Sequence, residues 1–201
     1  MAQRVSGDER RRQIIEAAAT LFSRKGFRGT TTREIAEAVG VSEAMLFKHF
    51  ATKEELYAAI IEVKSHGRRV LDTAVDAAER DDDVEVLRTL AREMIERTQV
   101  DPTLMRLTFF SALEGHALSE IMFRSRVQKL DDFLSQYIAK RIKAGAFRPV
   151  DTQQATWNFF GMVAYHVQRR ELFGQKPPSH LTTERAVEEM VELFLRGVRR
   201  E

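Results

Sequence analysis

Residues 30–56, TTTREIAEAVGVSEAMLFKHFATKEEL, decide the fold of this chain. Two short helices read out of the stretch, three residues apart, and a third starts directly behind them. Thr31 and Glu34 form a T-x-x-E capping box, so a helix begins near Thr32. Ile35, Ala36 and Val39 make its apolar stripe, and Gly40 follows its end, where a positive φ costs least. Val41 comes next as an apolar plug. Ser42 caps a second helix that carries Glu43 to His49. Leu46 and Phe50, spaced i, i+4, belong to the core, which leaves Glu43, Ala44, Met45, Phe47 and Lys48 outward or sideways. Thr52 and Glu55 form a second capping box, and Leu56, Ala59, Ile60 and Val63 continue it as a long amphipathic helix. Helices this short have too little surface for a core of their own. The layout suits a rigid platform that presents one helix to a groove. Two helices joined by a short glycine-containing turn make the helix-turn-helix pattern, and its second helix lies in the DNA major groove.

Composition supports that reading. The chain has 201 residues, 43% of them hydrophobic, which is enough for one large or two small domains with a real core. With four prolines and no β-rich run, an all-α fold is expected. Cysteine is absent, which excludes a disulfide framework and a thiolate metal site. The five histidines have no metal-like local spacing, so neither a metal nor a cofactor is expected. No apolar run approaches the roughly 18 residues of a membrane span, and MAQRVSGDERRR has no apolar signal-peptide segment. A cytoplasmic location with no membrane contact is expected. Net charge is +2 but unevenly placed: eight basic residues from Arg4 to Arg33 face three acids, a patch suited to phosphate.

The rest of the chain also reads as helices, about nine in all. The first spans residues 10–25, and the fourth runs from Lys53 to about Lys64, with Gly67 as a kink or break. Arg80-Asp81-Asp82-Asp83 is a charged turn, and Asp101-Pro102 a stop and restart. Leu104 to Leu113 is apolar on nearly all sides, the mark of a buried helix. A long helix follows from about Ser119 to Lys143, then helices over 152–173 and from Thr182 or Thr183 onward.

The run from residue 10 to 57 resembles the DNA-binding domain of the TetR/AcrR family of bacterial transcriptional regulators. The matching residues are Ala17, Ala18, Leu21 and Phe22, then Gly26-Phe27, Thr31-Thr32-Arg33, Ile35-Ala36, Gly40-Val41-Ser42, Leu46 to Phe50 and Lys53 to Leu56. The resemblance implies a DNA-binding domain over residues 1–52 and a helical ligand-binding and dimerisation domain over 53–201. It implies a homodimer paired through the helices near 152–173 and 183–199, a near-palindromic double-stranded operator, and the helix from Lys53 to Lys64 as the lever between domains. Carried over position by position, the phosphate contacts fall on Thr31, Thr32, Lys48, His49, Thr52 and Lys53. Base reading falls on Ser42, Glu43, Ala44 and Met45, with Arg33 able to hold guanine and Glu43 to accept from cytosine N4. Many members carry tyrosine where this chain has Phe47, so Phe47 cannot bond phosphate and either packs on sugar or a thymine methyl or partly faces the core.

For a ligand, Phe109, Phe110, Phe123, Trp157, Phe160, Tyr165 and His166 either line a cavity for a small hydrophobic or aromatic molecule or pack as plain core. Glu114, His116, Arg106 and Arg169 sit in apolar surroundings and serve either as the ligand's polar handle or as an internal salt bridge. No G-x-S-x-G, H-E-x-x-H, P-loop or dinucleotide fingerprint is present, so an enzyme is not expected. The expected function is a ligand-controlled regulator, most simply a repressor. The competing class is a DNA-binding protein without a small-molecule ligand.

Overall fold

Side-chain caps set the helix ends. The computed structural model describes residues 6–65, 70–115 and 127–200, with Glu120 and Arg124 besides. Ser6 accepts from the Glu9 amide and starts α1, Gly7–Lys25, which ends at Gly26 with φ +76°. In α2, Thr32–Val39, the predicted box is complete: Thr31 Oγ1 accepts from Glu34 N at 3.2 Å and the Glu34 carboxylate accepts from Thr31 N at 2.8 Å. Gly40 then takes the left-handed φ of +71°. Ser42 caps α3, Glu43–His49. Ahead of α4, Lys53–Ser65, Thr52 accepts from Glu55 N at 3.0 Å. Glu55 reaches back to the amide of Ala51 at 2.7 Å, one residue beyond the predicted partner. The chain continues through α5 (Val70–Glu79), α6 (Asp83–Val100), α7 (Thr103–Glu114), α8 (Gln128–Lys143), α9 (Thr152–Glu171) and α10 (Thr183–Val198). Among the described residues these ten helices meet no strand, only an isolated antiparallel bridge between Phe147 and Arg199. The expected kink at Gly67 and most of the start of the helix expected from Ser119 to Lys143, over residues 119–126, lie outside the described residues.

The helices form two compact units. The first holds α1–α4 together with α7. Its core joins Ile14, Ile15, Ala18 and Phe22 of α1 to Ile35, Leu46, Leu56, Tyr57 and Ile60, and to Leu104 and Leu107 of α7. Each fully buried large side chain here contributes about 1.5–3 kcal/mol relative to exposure. The expectation of an all-round buried α7 is corrected by its exposures. Leu104, Leu107 and Ser111 are buried, but Phe109 and Phe110 are half-buried and Leu113 is 83% exposed. One stripe at i, i+3, i+7 packs on α1; apolar composition alone cannot say which faces find a neighbour.

The second unit is built around α6, which packs against α5, α9 and α10, while α8 lies against α9. Val86, Leu87, Leu90, Ala91 and Ile95 face Ala74, Ala77, Phe159, Val163, Val187 and Val191 as one buried layer. The rings of Phe159 and Phe194 meet edge-on at 5.2 Å, tying α9 to α10. The charged turn before α6 is an anchor. Asp83, buried at the first helical position, accepts from Tyr137 Oη at 2.6 Å and from Arg141 Nε at 2.7 Å. Asp81 adopts φ +55° and takes Lys140 at 2.8 Å and Arg141 at 3.2 Å. Burial and the adjoining Asp83 raise the Tyr137 phenol above its usual range, so it stays a donor. Replacing Asp83 by alanine strips the buried guanidinium and phenol of their shared acceptor. Urea denaturation of Asp83→Ala is expected to show a loss of about 3 kcal/mol, with Asp81→Ala, on the exposed side of the same knot, costing well under half of that.

Candidate nucleic-acid interface

The platform under α3 is a cluster of rings. Phe22 stacks on Phe27 with centroids 5.6 Å apart, and Tyr57 meets both edge-on at 5.3 and 5.5 Å. These rings fix α1, the α1–α2 turn and α4 to each other. Leu46 and Phe50, both fully buried, pin α3 onto the same core, as expected. The remaining face of α3 is free: Ser42, Glu43, Ala44, Met45, Phe47 and Lys48 are exposed and His49 is half-buried. Met45 at 39% and Phe47 at 45% exposure are apolar groups that the core does not use. Such side chains suit thymine methyls and sugar carbons.

The polar residues along this edge are already engaged with one another. Thr32 Oγ1 donates to the Glu43 carboxylate at 2.6 Å, joining the first residues of α2 and α3. Arg33 Nε donates to Glu37 at 2.9 Å, and that bond together with the charges of Glu37 and Glu43 raises the guanidinium's pKa further. Glu37 therefore sits on the same edge as Arg33, although its sequence position singles out nothing. Lys25 pairs with Glu34 at 2.6 Å. That lysine and the Thr31 amide and hydroxyl hold the Glu34 carboxyl at about 2. Lys53 folds its ammonium over Phe27, 4.3 Å from the ring centroid. Burial lowers its pKa, against the pull of Glu54, Glu114 and Glu34.

A polar anchor from α7 completes this unit, and neither capping nor periodicity identifies it. The Glu114 carboxylate accepts from the amides of Phe27 and Arg28, each at 3.2 Å. Arg106 Nε donates to Ser23 O at 2.8 Å, near the C-terminus of α1. Tyr57 Oη donates to Leu107 O at 3.2 Å, with burial pushing its pKa up to about 12. Gly26 makes the close approach possible, because a Cβ there would stand 2.3 Å from Glu114 Oε1. The only advance signal was a pair of charges in an apolar stretch. The bonds that Arg106 and Glu114 make here are internal and reach backbone groups.

The expected ligand-lining residues divide between the units. Phe109, Phe110 and Glu114 lie on α7, while Trp157, Phe160, Tyr165 and His166 lie on α9; Phe123 and His116 are outside the described residues. Trp157 and Tyr165 are 55% and 61% exposed. The Trp157 indole donates to Asp131 at 3.3 Å, and burial raises that carboxyl's pKa. Burial, aided by Arg170 and Arg169, lowers that of His166. Two open grooves in the second unit, one between α6 and α10 and one between the residue 148–151 turn, α9 and α10, take in none of the expected lining residues. Among the described residues no helix is long and apolar enough to cross a membrane.

Comparison with known proteins agrees with this geometry. The profile described as "Bacterial regulatory proteins, tetR family" matches residues 14–60, and that of "AefR-like transcriptional repressor, C-terminal domain" matches residues 84–197. The HTH-type transcriptional regulator RutR of Escherichia coli (strain K12) is 27% identical over 198 residues, covering 94% of this chain and 91% of RutR. The nucleoid occlusion factor SlmA of Vibrio atlanticus (strain LGP32) is 29% identical over 173 residues, covering 80% of this chain and 83% of SlmA. The crystal structure of AibR in complex with isovaleryl coenzyme A and operator DNA superimposes with a TM-score of 0.68 at 26% identity, over 92% of this chain and 97% of that one.

Two substitutions probe the platform. Gly26→Ala forces a Cβ into Glu114 at a left-handed backbone position and should cost about 1–3 kcal/mol in thermal or urea unfolding. Glu34→Gln tests the depressed carboxyl. Its folded value of about 2 lies below the ordinary 4.5, so its contribution is present above about pH 4.5 and is lost as pH falls toward 2. The stability gap between the native chain and Glu34→Gln should therefore shrink between about pH 5 and about pH 2; a gap that stays constant with pH assigns the carboxyl no special role.

Proposed function

This chain belongs to the TetR family of bacterial regulatory proteins, and from that premise we propose that it is a homodimeric repressor released from a near-palindromic operator by a small apolar ligand. The observation that carries the reading is the free outer face of α3, held on a ring-packed platform with Met45, Phe47 and Lys48 uncovered. In this reading residues 1–52 read DNA, and residues 53–201 take the ligand and the second copy. Ser42, Glu43, Ala44, Met45 and Arg33 read bases, with Arg33 leaving Glu37 to reach guanine. Thr31, Thr32, Lys48, His49, Thr52 and Lys53 hold phosphates, and Lys53 shares its charge with the Phe27 ring. Such contacts fix register, while the base-edge contacts select sequence.

The second copy is supported by apolar surface that one chain leaves uncovered on α9, the residues after it, and α10: Trp157, Tyr165, Leu172, Phe173 and Leu193. A two-fold pairing covers the same patch on both chains and sets two α3 helices roughly 34–36 Å apart, one helical turn of DNA. A small-molecule ligand is supported by the half-buried Phe160 and His166 of α9 and by the AibR complex, which holds isovaleryl coenzyme A together with operator DNA. Ligand binding would favour a dimer whose reading helices no longer match adjacent grooves, with α4 as the lever. A second reading, a DNA-binding protein with no small ligand, is favoured by the two open grooves of the second unit, which take in none of the expected lining residues. In that case a panel of apolar compounds would neither raise the melting temperature nor release bound DNA.

Selection of bound duplexes from a random pool at near-physiological salt tests the main reading. An inverted repeat is expected; salt-sensitive binding with no enriched motif overturns a sequence-specific regulator. Alanine at both Lys48 and Lys53 should weaken binding to every duplex and lower the salt slope by about 1–2. Unchanged affinity and slope would remove both lysines from the phosphate contacts.

A further inference from the structure

Arg10, Arg11 and Arg12 read in sequence as one basic run, but the fold gives them three different tasks. Arg10 donates to Gln13 at 2.9 Å and lies 3.5 Å from Val39 O, bracing the end of α2. Arg12 pairs with Glu9 on its own helix. Arg11 is exposed and has no carboxylate partner among the described residues; its guanidinium lies over the Phe50 ring, 4.7 Å from the centroid. Phe50 is fully buried and is the cap residue of α3, directly after Lys48 and His49. The fold thus carries a cation from the second turn of α1 to the C-terminal end of the helix whose outer face is free.

We propose that Arg11 is a backbone-phosphate ligand in the DNA complex, a subsite outside the α2–α3 edge that rests on the DNA-binding reading above. A guanidinium stacked on an aromatic face keeps its in-plane N–H donors available. The immobile ring under it lowers the ordering cost of a phosphate contact. Of the acids of α1, Glu9 is taken by Arg12 and Glu16 by Lys64 at 3.0 Å, and Asp8, three residues before Arg11, makes no ion pair with it. Lys48, His49 and Arg11 then form a cluster at one end of α3, able to grip the strand flanking the groove. The contact is to phosphate and carries no base preference.

The full-length protein is titrated onto a labelled non-operator duplex across a range of KCl concentrations. For the native chain, log affinity should fall linearly with log salt. Arg11→Gln should bind about threefold to tenfold more weakly and lower the slope by about 0.9, the share of one phosphate. Arg11→Lys should keep the slope, because it keeps the charge. Arg11→Met, which still covers Phe50, should lose slope as Arg11→Gln does, and so separates charge from packing. A lowered melting temperature with an unchanged slope in both neutral variants overturns the assignment and leaves Arg11 as a cover for Phe50. If the native chain binds no duplex at any salt, the DNA-binding reading itself fails and takes this subsite with it.

Discussion

The contact of Phe22 with Phe27 and Tyr57 is the constraint on which the DNA-facing end depends. Phe22 comes from the middle of the first unit's core, Phe27 from the turn after α1, and Tyr57 from α4. Each ring alone would bury apolar area. Together they set the spacing of three elements, and α2 and α3 hang from the segment between Phe27 and Tyr57. A helix as short as α3 cannot hold its own orientation, since isolated helices below about 12 residues are marginal in water. Its direction is borrowed from Leu46 and Phe50 beneath it. This arrangement leaves Ala44, Met45, Phe47 and Lys48 uncovered on the outer face of α3, while Glu43 ties that helix to Thr32.

Around that ring cluster α7 supplies polar groups to backbone of the α1–α2 segment. Glu114 satisfies two amides that the turn would otherwise expose, and Arg106 satisfies a carbonyl near the α1 terminus. Hydrogen bonds to charged groups are worth roughly twice neutral ones. Gly26 is required at this place for two separate reasons, its left-handed φ and the missing Cβ that admits Glu114. The two requirements converge on one residue, so α7 and the α1–α2 turn are specified together. The exposed pairs, such as Arg185 with Glu189, contribute far less each.

The second unit solves a different problem. Its helices are long, and its core is mostly aliphatic with the buried rings of Phe147, Phe159 and Phe194 among the aliphatic side chains. An apolar layer of that kind fixes proximity better than register. Register comes from the Asp83 knot with Tyr137 and Arg141 and, beside it, from the C-terminal segment, where Arg148 N donates to Val198 O at 2.8 Å; Arg141 joins the two, its guanidinium 5.9 Å from the Phe147 ring centroid. Trp157, Tyr165 and Leu193 stay exposed on α9 and α10 among charged neighbours, and large apolar side chains in water are a cost that association relieves.

Much of this molecule was legible one residue at a time. Thr31 with Glu34, Ser42, Gly40 and the Asp101-Pro102 break follow local rules that act within three or four residues, so the chain's own order determined the helix ends, the all-α class and the residues on the outer face of α3. Leu46 and Phe50 as core followed from spacing alone. Partners distant in sequence were not legible. Glu114 lies 87 residues from Phe27, Arg11 lies 39 from Phe50, and only tertiary packing decided that either pair would meet. The same holds for α7, whose apolar composition suits burial on every side, yet whose neighbours cover only one stripe. Local chemistry is encoded where the atoms adjoin along the chain. Contacts across the fold depend on how many helices compete for the same apolar surface, and that competition is settled only when the whole core closes.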